Sequence, residues 1–148
     1  MIKYSSNFES FTPLAQMLCD LYGDVTIDDM LGDMHMHYHD QRQKFFLAYD
    51  GDELIGLSQV SLRDEYVNGK QGELTDTVGY LEAIYVNPNY RKQHIAATLV
   101  NQCQDWAKNH GCREFLSDCT LDNEDSYHFH LKLGFIEAER NIFFRKEI

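Results

Sequence analysis

Residues Val78 to Ala96 read VGYLEAIYVNPNYRKQHIA, and the reading of this stretch decides the fold. Its first part is an apolar run, Tyr80, Leu81 and Ala83 to Val86, interrupted by one carboxylate, Glu82. A short apolar run bounded by turn residues predicts a buried strand. Asn87-Pro88-Asn89 stops it. A cationic cluster, Arg91-Lys92-Gln93, then opens an amphipathic helix with Ile95, Ala96, Leu99, Val100, Cys103, Trp106 and Ala107 at steps of three and four. Strand, turn and helix N-terminus with cations form a cradle for a phosphorylated ligand, because the first N–H groups of a helix have no partner within it and its dipole favours negative charge. The strand feeding the cradle can present its backbone and Glu82 to chemistry beside the phosphates. The reading is a small-molecule transferase site.

Outward from this unit, Ile2 to Tyr4 predicts a short first strand. Phe11 to Tyr22 predicts a helix whose apolar face is Leu14, Met17, Leu18 and Leu21, ending near Gly23. A second helix is expected from Ile27 to about His39. Phe45 to Tyr49 and Leu54 to Leu62 read as strands joined across Asp50-Gly51-Asp52, a hairpin pattern. Arg63 to Thr77 is a long polar loop with Gly69 and Gly72, and loops of that length are often functional. Beyond the central helix, which Gly111 ends, Glu114 to Cys119 predicts another strand. Asp122 or Asn123 caps a helix from about Asp125 to Leu133, stopped by Gly134, and Phe135 to Lys146 is expected to hold one or two last strands. The sum is a mixed α+β domain, mostly antiparallel, with at least one parallel strand pair. No repeat, linker or low-complexity tract divides it, so residues 1–148 read as one domain.

The chain has 148 residues, 43% of them hydrophobic and 25% charged, as expected of a soluble globular protein. Its formal charge of -11 argues against a nucleic-acid partner, whose binding is driven by Lys and Arg neutralising phosphates. An acidic cleft suits a cationic small molecule instead, although acidic surfaces also simply keep proteins soluble. Cys19, Cys103, Cys112 and Cys119 lack metal-type spacing, and no charged-then-apolar leader precedes them, so reduced thiols in a cytoplasmic protein are expected. No apolar run approaches the roughly 18 residues of a membrane span.

Two carboxylates stand out. Glu82 lies mid-strand among apolar residues, where a charge is costly unless the site lines a wet cleft or a solvated sheet face. Asp118 closes the strand EFLSD, at a position where strands of a parallel type deliver site residues, or where it caps the next turn. The run Met34-His35-Met36-His37-Tyr38-His39 invites a metal reading. However, His35 and His39 share a helix face while His37 points elsewhere, and no cysteine is close, so no metal is expected. A helix lining the substrate cleft, with Asp33 and Asp40 adding negative charge, accounts better for the run.

Five segments together resemble a known family. DEYVNG (Asp64 to Gly69), YLEAIYV (Tyr80 to Val86), GCREFLSD (Gly111 to Asp118), HLKLGF (His130 to Phe135) and FFRK (Phe143 to Lys146), in this order and spacing, resemble the GCN5-related N-acetyltransferases (GNAT) over nearly the whole chain. More narrowly they resemble the aminoglycoside 6′-N-acetyltransferases. The resemblance implies a central sheet splayed between its fourth and fifth strands, about four flanking helices, and acetyl-CoA wedged into the splay as co-substrate. It implies a cationic aminoglycoside as acceptor, direct attack of the amine on the thioester, and a homodimer. An acetyltransferase of a polyamine or other small amine, and a non-catalytic binder of aminoglycoside or acetyl-CoA, are the alternatives.

The same resemblance assigns residues. The loop patterned Arg/Gln-x-x-Gly-x-Gly/Ala that cradles the pyrophosphate corresponds to Arg91, Lys92, Gln93, His94, Ile95 and Ala96, with His94 standing where glycine is usual. Backbone groups of Ile84, Tyr85 and Val86 face the cofactor, with an N–H of Ile84 or Tyr85 as oxyanion donor. Asn123 corresponds to an asparagine on the pantetheine arm, or caps a helix. Glu82 and Asp118 bind the substrate amine or take its proton. His130 stands where many members place a tyrosine that protonates the thiolate; Tyr127, one turn earlier, is the rival. Tyr22, Asp24, Glu65 and Tyr66 are further substrate-binding candidates, whose plainer role is loop packing.

Overall fold

A computed structural model gives the structure of the protein and describes residues 1–7 and 11–148. The elements are β1 (Ile2–Ser5), α1 (Phe11–Tyr22), α2 (Ile27–Tyr38), β2 (Gln43–Asp50), β3 (Glu53–Arg63), β4 (Val78–Val86), a 3₁₀ turn (Pro88–Tyr90), α3 (Ile95–Asn109), β5 (Phe115–Leu116) and α4 (Glu124–Lys132). The five strands form one sheet in sequence order. Neighbours are antiparallel except β4 and β5, which run parallel. This is the mixed sheet that the sequence predicts, with β4 and β5 paired only at Gly79 and Tyr80, as the splay implied by the family resemblance requires.

Period two in the strands and period 3.6 in the helices separate two apolar layers. On one face, Leu14 and Leu18 of α1 and Met30 and Met34 of α2 pack on Phe45, Leu47, Leu57 and Ala83. On the other, Ile95 and Leu99 of α3 cover Ala48, Ile55 and Val86, and Val100, Cys103 and Ala107 cover Val60 and Leu81. Thr26 caps α2 by accepting from the Asp29 N–H at 3.2 Å, with Asp28 and Asp29 in its first turn where the helix dipole favours them. Ser58 is fully buried and bolts β3 to α3: its Oγ donates to the Leu99 carbonyl at 3.0 Å and accepts from Cys103 Sγ at 3.1 Å. Burial holds the Cys103 thiol protonated, its pKa pushed up to about 12, so it is a packing group.

Close approach of α3 to β4 depends on Gly79. A Cβ at this position would lie 2.4 Å from Ala107 Cβ and 3.2 Å from the Phe115 ring, where only a shift of the helix could relieve it. Gly79→Val should therefore destabilise the protein by about 2 kcal/mol or more. The check is thermal unfolding, with an expected loss of roughly 4–8 °C in Tm.

Three expectations are corrected. β5 is confined to Phe115–Leu116 instead of Glu114 to Cys119, because β4 and β5 pair only at Gly79↔Phe115 and Tyr80↔Leu116. α3 begins at Ile95 instead of Arg91, because Lys92 and His94 adopt left-handed conformations (φ 65° and 61°) that no α-helix continues. The segment after Gly134 forms no strand. A strand is held by a neighbour's ladder, and residues 135–148 find none among the described residues, leaving Ile136, Ile142, Phe143 and Phe144 exposed.

Candidate active site

Glu82 owes its placement to a β-bulge. Along β3 and β4 the register passes from Val60↔Leu81 to Gln59↔Ala83, so Glu82 has no opposite residue. Leu81 and Ile84 therefore point toward α3, while Ala83 packs in the layer of α1 and α2. Bulges re-aim side chains in this way beside functional sites. Glu82 reaches a cleft of about 320 Å³ between α1, α2 and the sheet, lined also by Tyr22, Asp33, His37 and Gln59.

The carboxylate is heavily engaged. Its Oε1 accepts from Ser61 Oγ at 2.5 Å and from Nε and Nη2 of Arg63 at 3.0 and 2.7 Å, and its Oε2 accepts from Nη2 at 2.9 Å. The guanidinium lies 3.7 Å above the Tyr80 ring, a cation–π contact. Burial raises the Tyr80 phenol well above its ordinary range, and the nearby Asp118 carboxylate raises it further, so it is not an acid here. The Tyr22 hydroxyl donates to the Glu82 carbonyl at 3.4 Å. Burial raises its pKa as well, followed by the charges of Glu82 and Asp118. Tyr22, Glu82 and Asp118 are thus brought into one cluster with Ser61, Arg63 and Tyr80. Asp24, Glu65 and Tyr66 are exposed, and no hydrogen bond ties them to it.

Ser61, Arg63 and Tyr80 escape a reading of motifs. The available signal is the polar series Gln59, Ser61, Arg63, which puts three hydrogen-bonding side chains on one face of β3.

Past Tyr80 the β4 backbone parts from β5, and the splay opens at Ile84, Tyr85 and Val86. The loop leading into α3 lies beside it. Arg91 Nε donates to the Val86 carbonyl at 3.1 Å, folding the loop back on the strand end. Lys92 and His94 are left-handed (φ 65° and 61°) while Arg91 is extended, so the loop turns sharply just before the helix start. The first carbonyl of the helix ladder is that of His94, which accepts from Thr98 N–H and Oγ1, leaving the N–H groups of Ile95 and Ala96 ahead of the ladder. Gln93 and His94 are exposed, and His94 makes no side-chain cap.

His130 is tied down at both nitrogens. Nδ1 lies 2.7 Å from the Ser126 carbonyl, which can only accept, so Nδ1 carries a proton. In the neutral ring Nε2 then accepts from Ser117 Oγ at 2.8 Å. The residue links α4 to the end of β5. Asn123 caps α4, its Oδ1 accepting from Ser126 N–H at 3.1 Å. Tyr127 donates to Glu137 at 3.4 Å. In the histidine run, His35 packs edge-on against Phe11, and no cluster of three metal-ligating side chains occurs among the described residues.

The chain matches known proteins over nearly its whole length. The acetyltransferase (GNAT) family model matches residues 11–135. An aminoglycoside N(6′)-acetyltransferase type 1 from Acinetobacter genomosp. 13 is 50% identical over 103 residues, 69% of this chain and 68% of that one. Its counterpart from Stenotrophomonas maltophilia is 34% identical over 132 residues, 88% of this chain and 83% of that one. The crystal structure of an aminoglycoside antibiotic 6′-N-acetyltransferase from Acinetobacter baumannii has a TM-score of 0.89 at 37% identity, covering 100% of this chain and 99% of the other. AAC(6′)-Iy in complex with a bisubstrate analogue, CoA-S-monomethyl-acetylneamine, has the same TM-score at 30% identity, covering 100% and 99%. With a splayed sheet, a cradle at the start of α3 and these relatives, the chain belongs to the GNAT acetyltransferase family.

Proposed function

We propose that the protein transfers the acetyl group of acetyl-CoA to the 6′-amine of an aminoglycoside. The observation that carries this reading is the pairing of an acidic cleft, with Glu82 and Asp33, to the sharply turned loop and helix N-terminus of α3 beside the end of β4 that β5 leaves unpaired. The chain's own residues fit acetyl-CoA. The N–H groups of Gln93 to Ala96 suit its pyrophosphate, the splay edge at Ile84 to Val86 suits its pantetheine arm, and Asn123 retains an amide N–H₂ for the same arm. The donor relatives named above act on aminoglycosides, and one was crystallised with a CoA-aminoglycoside analogue.

In this reading the neutral amine attacks the thioester carbonyl directly. The C–N bond forms, the negative charge gathers on the carbonyl oxygen, and an N–H of Ile84 or Tyr85 stabilises it. The amine's surplus proton passes to Glu82 Oε2, directly or through water. Collapse breaks the C–S bond, and the thiolate leaves and takes its proton from solvent. Asp118 binds a second ammonium of the polycation. A panel of steady-state rates tests the substrate class: kcat/KM for kanamycin and neamine should exceed that for spermidine by at least 100-fold. Faster acetylation of spermidine would make it a polyamine enzyme.

His94 is the departure from the family pattern. A non-glycine residue in this left-handed conformation costs roughly 1–2 kcal/mol. His94→Gly should relieve that cost in the fold and, by removing the Cβ and imidazole from the approach of the phosphates, tighten acetyl-CoA by less than about tenfold without altering kcat. Calorimetric titration checks it; weaker binding would mean that the imidazole donates to phosphate.

We also infer a cytoplasmic homodimer. No helix among the described residues is long and apolar enough to cross a membrane, and the four cysteines are free thiols. The exposed Ile142, Phe143 and Phe144 support the dimer, since an arm of β-forming residues without a ladder gains one by adding to a second copy.

A further inference from the structure

We propose that Arg63 is a positioning residue: it locks the Glu82 carboxylate so that a single lone-pair site, on Oε2, is offered to the acceptor amine. The inference rests on the acetyltransferase reading but not on the identity of the amine.

An ionised carboxylate has about four acceptor sites. Oε1 of Glu82 takes three donors, Ser61 Oγ and the Nε and Nη2 of Arg63, and Oε2 takes Nη2 alone. The donors converge on one oxygen and leave the other nearly vacant. A Glu side chain on a bulge, with no cross-strand neighbour, would otherwise sample several rotamers in the cleft. The guanidinium is itself restrained, since it lies 3.7 Å over the Tyr80 ring. Orientation of this kind acts on the chemical step more than on binding, because a small misplacement of the reacting groups is costly in rate. Charge acts in the opposite sense. Removing the guanidinium makes the cleft more negative, which draws a polycation in.

The two effects give Arg63 a signature that lost folding does not. Arg63→Met should lower kcat by roughly 10- to 100-fold while KM for the cationic amine stays level or falls and KM for acetyl-CoA is unchanged. Arg63→Lys keeps the charge but cannot fork across the carboxylate, so it should recover only part of kcat. The decisive comparison is a double-mutant cycle with Glu82→Gln, measured with any amine that the wild-type enzyme acetylates. If Arg63 acts through Glu82, Arg63→Met should cost little or nothing further in the Glu82→Gln background. An equal fold-loss in both backgrounds, or an unchanged kcat in Arg63→Met, would overturn the proposal. Should Arg63→Met fail to fold, the Arg63→Lys cycle supplies the same comparison. Failure of the wild-type enzyme on aminoglycosides alone would instead count against the substrate class, leaving the coupling between residues 63 and 82 to be read on another amine.

Discussion

Glu82→Gln is expected to lower kcat/KM for an aminoglycoside by roughly 10²- to 10³-fold at neutral pH, within the range for removal of a general base. The amide has nearly the shape of the carboxylate, so the cleft should survive. Its chemistry changes in two ways. Oε2 no longer accepts the amine's proton, and the guanidinium of Arg63, which the carboxylate neutralises in the native cleft, now faces the incoming ammonium uncompensated. The loss should shrink as pH rises, because a growing share of the substrate amine is already neutral and hydroxide increasingly takes up the proton that Glu82 would accept. Rates between pH 6 and 9 measure this. A loss of constant size across that range would reduce Glu82 to a binding group for the ammonium.

The second large effect concerns assembly. The chain of 17.3 kDa should run at twice that mass in solution, and Phe143→Asp with Phe144→Asp should return it to the monomer mass. These side chains are 82% and 92% exposed, a heavy apolar load for a free arm, and a charge introduced at each would oppose burial against a second copy. Light scattering behind size exclusion decides it. Wild-type protein at the monomer mass would remove the homodimer, and a double variant that remains dimeric would place the contact elsewhere than on the arm.

Much of the scaffold was legible in the residues because local pattern and tertiary packing agree there. The spacing of Leu14, Met17 and Leu18 marks the buried face of α1, and Val78 to Val86 is one strand as read. Legibility ended where conformation depends on a distant partner. Glu114 to Cys119 looks uniformly strand-like, yet its length is set by where β4 turns away, which Phe115 and Leu116 do not encode. Asn141 to Phe144 has strand composition and lacks a ladder within its own chain, so its pattern says nothing of where it pairs.

The site divides along the same line. Glu82 and Asp118 could be singled out from their surroundings and from family likeness. The pairing of Glu82 with Arg63 could not, since it depends on a bulge that shifts register by one residue between strands. His94 shows the converse. Its departure from the expected glycine was plain in the sequence, and the left-handed backbone there gives the departure a physical cost.

The central claim is acetyl transfer from acetyl-CoA to one particular nitrogen of an aminoglycoside. Its most direct test mixes the protein with acetyl-CoA and kanamycin, follows free thiol, and then locates the new amide by two-dimensional NMR of the product. The account predicts one thiol released per kanamycin consumed and a single acetyl group on the 6′-nitrogen, with neither product formed when protein is omitted. Tight binding of both ligands without thiol release, or acetylation at another nitrogen, would contradict it.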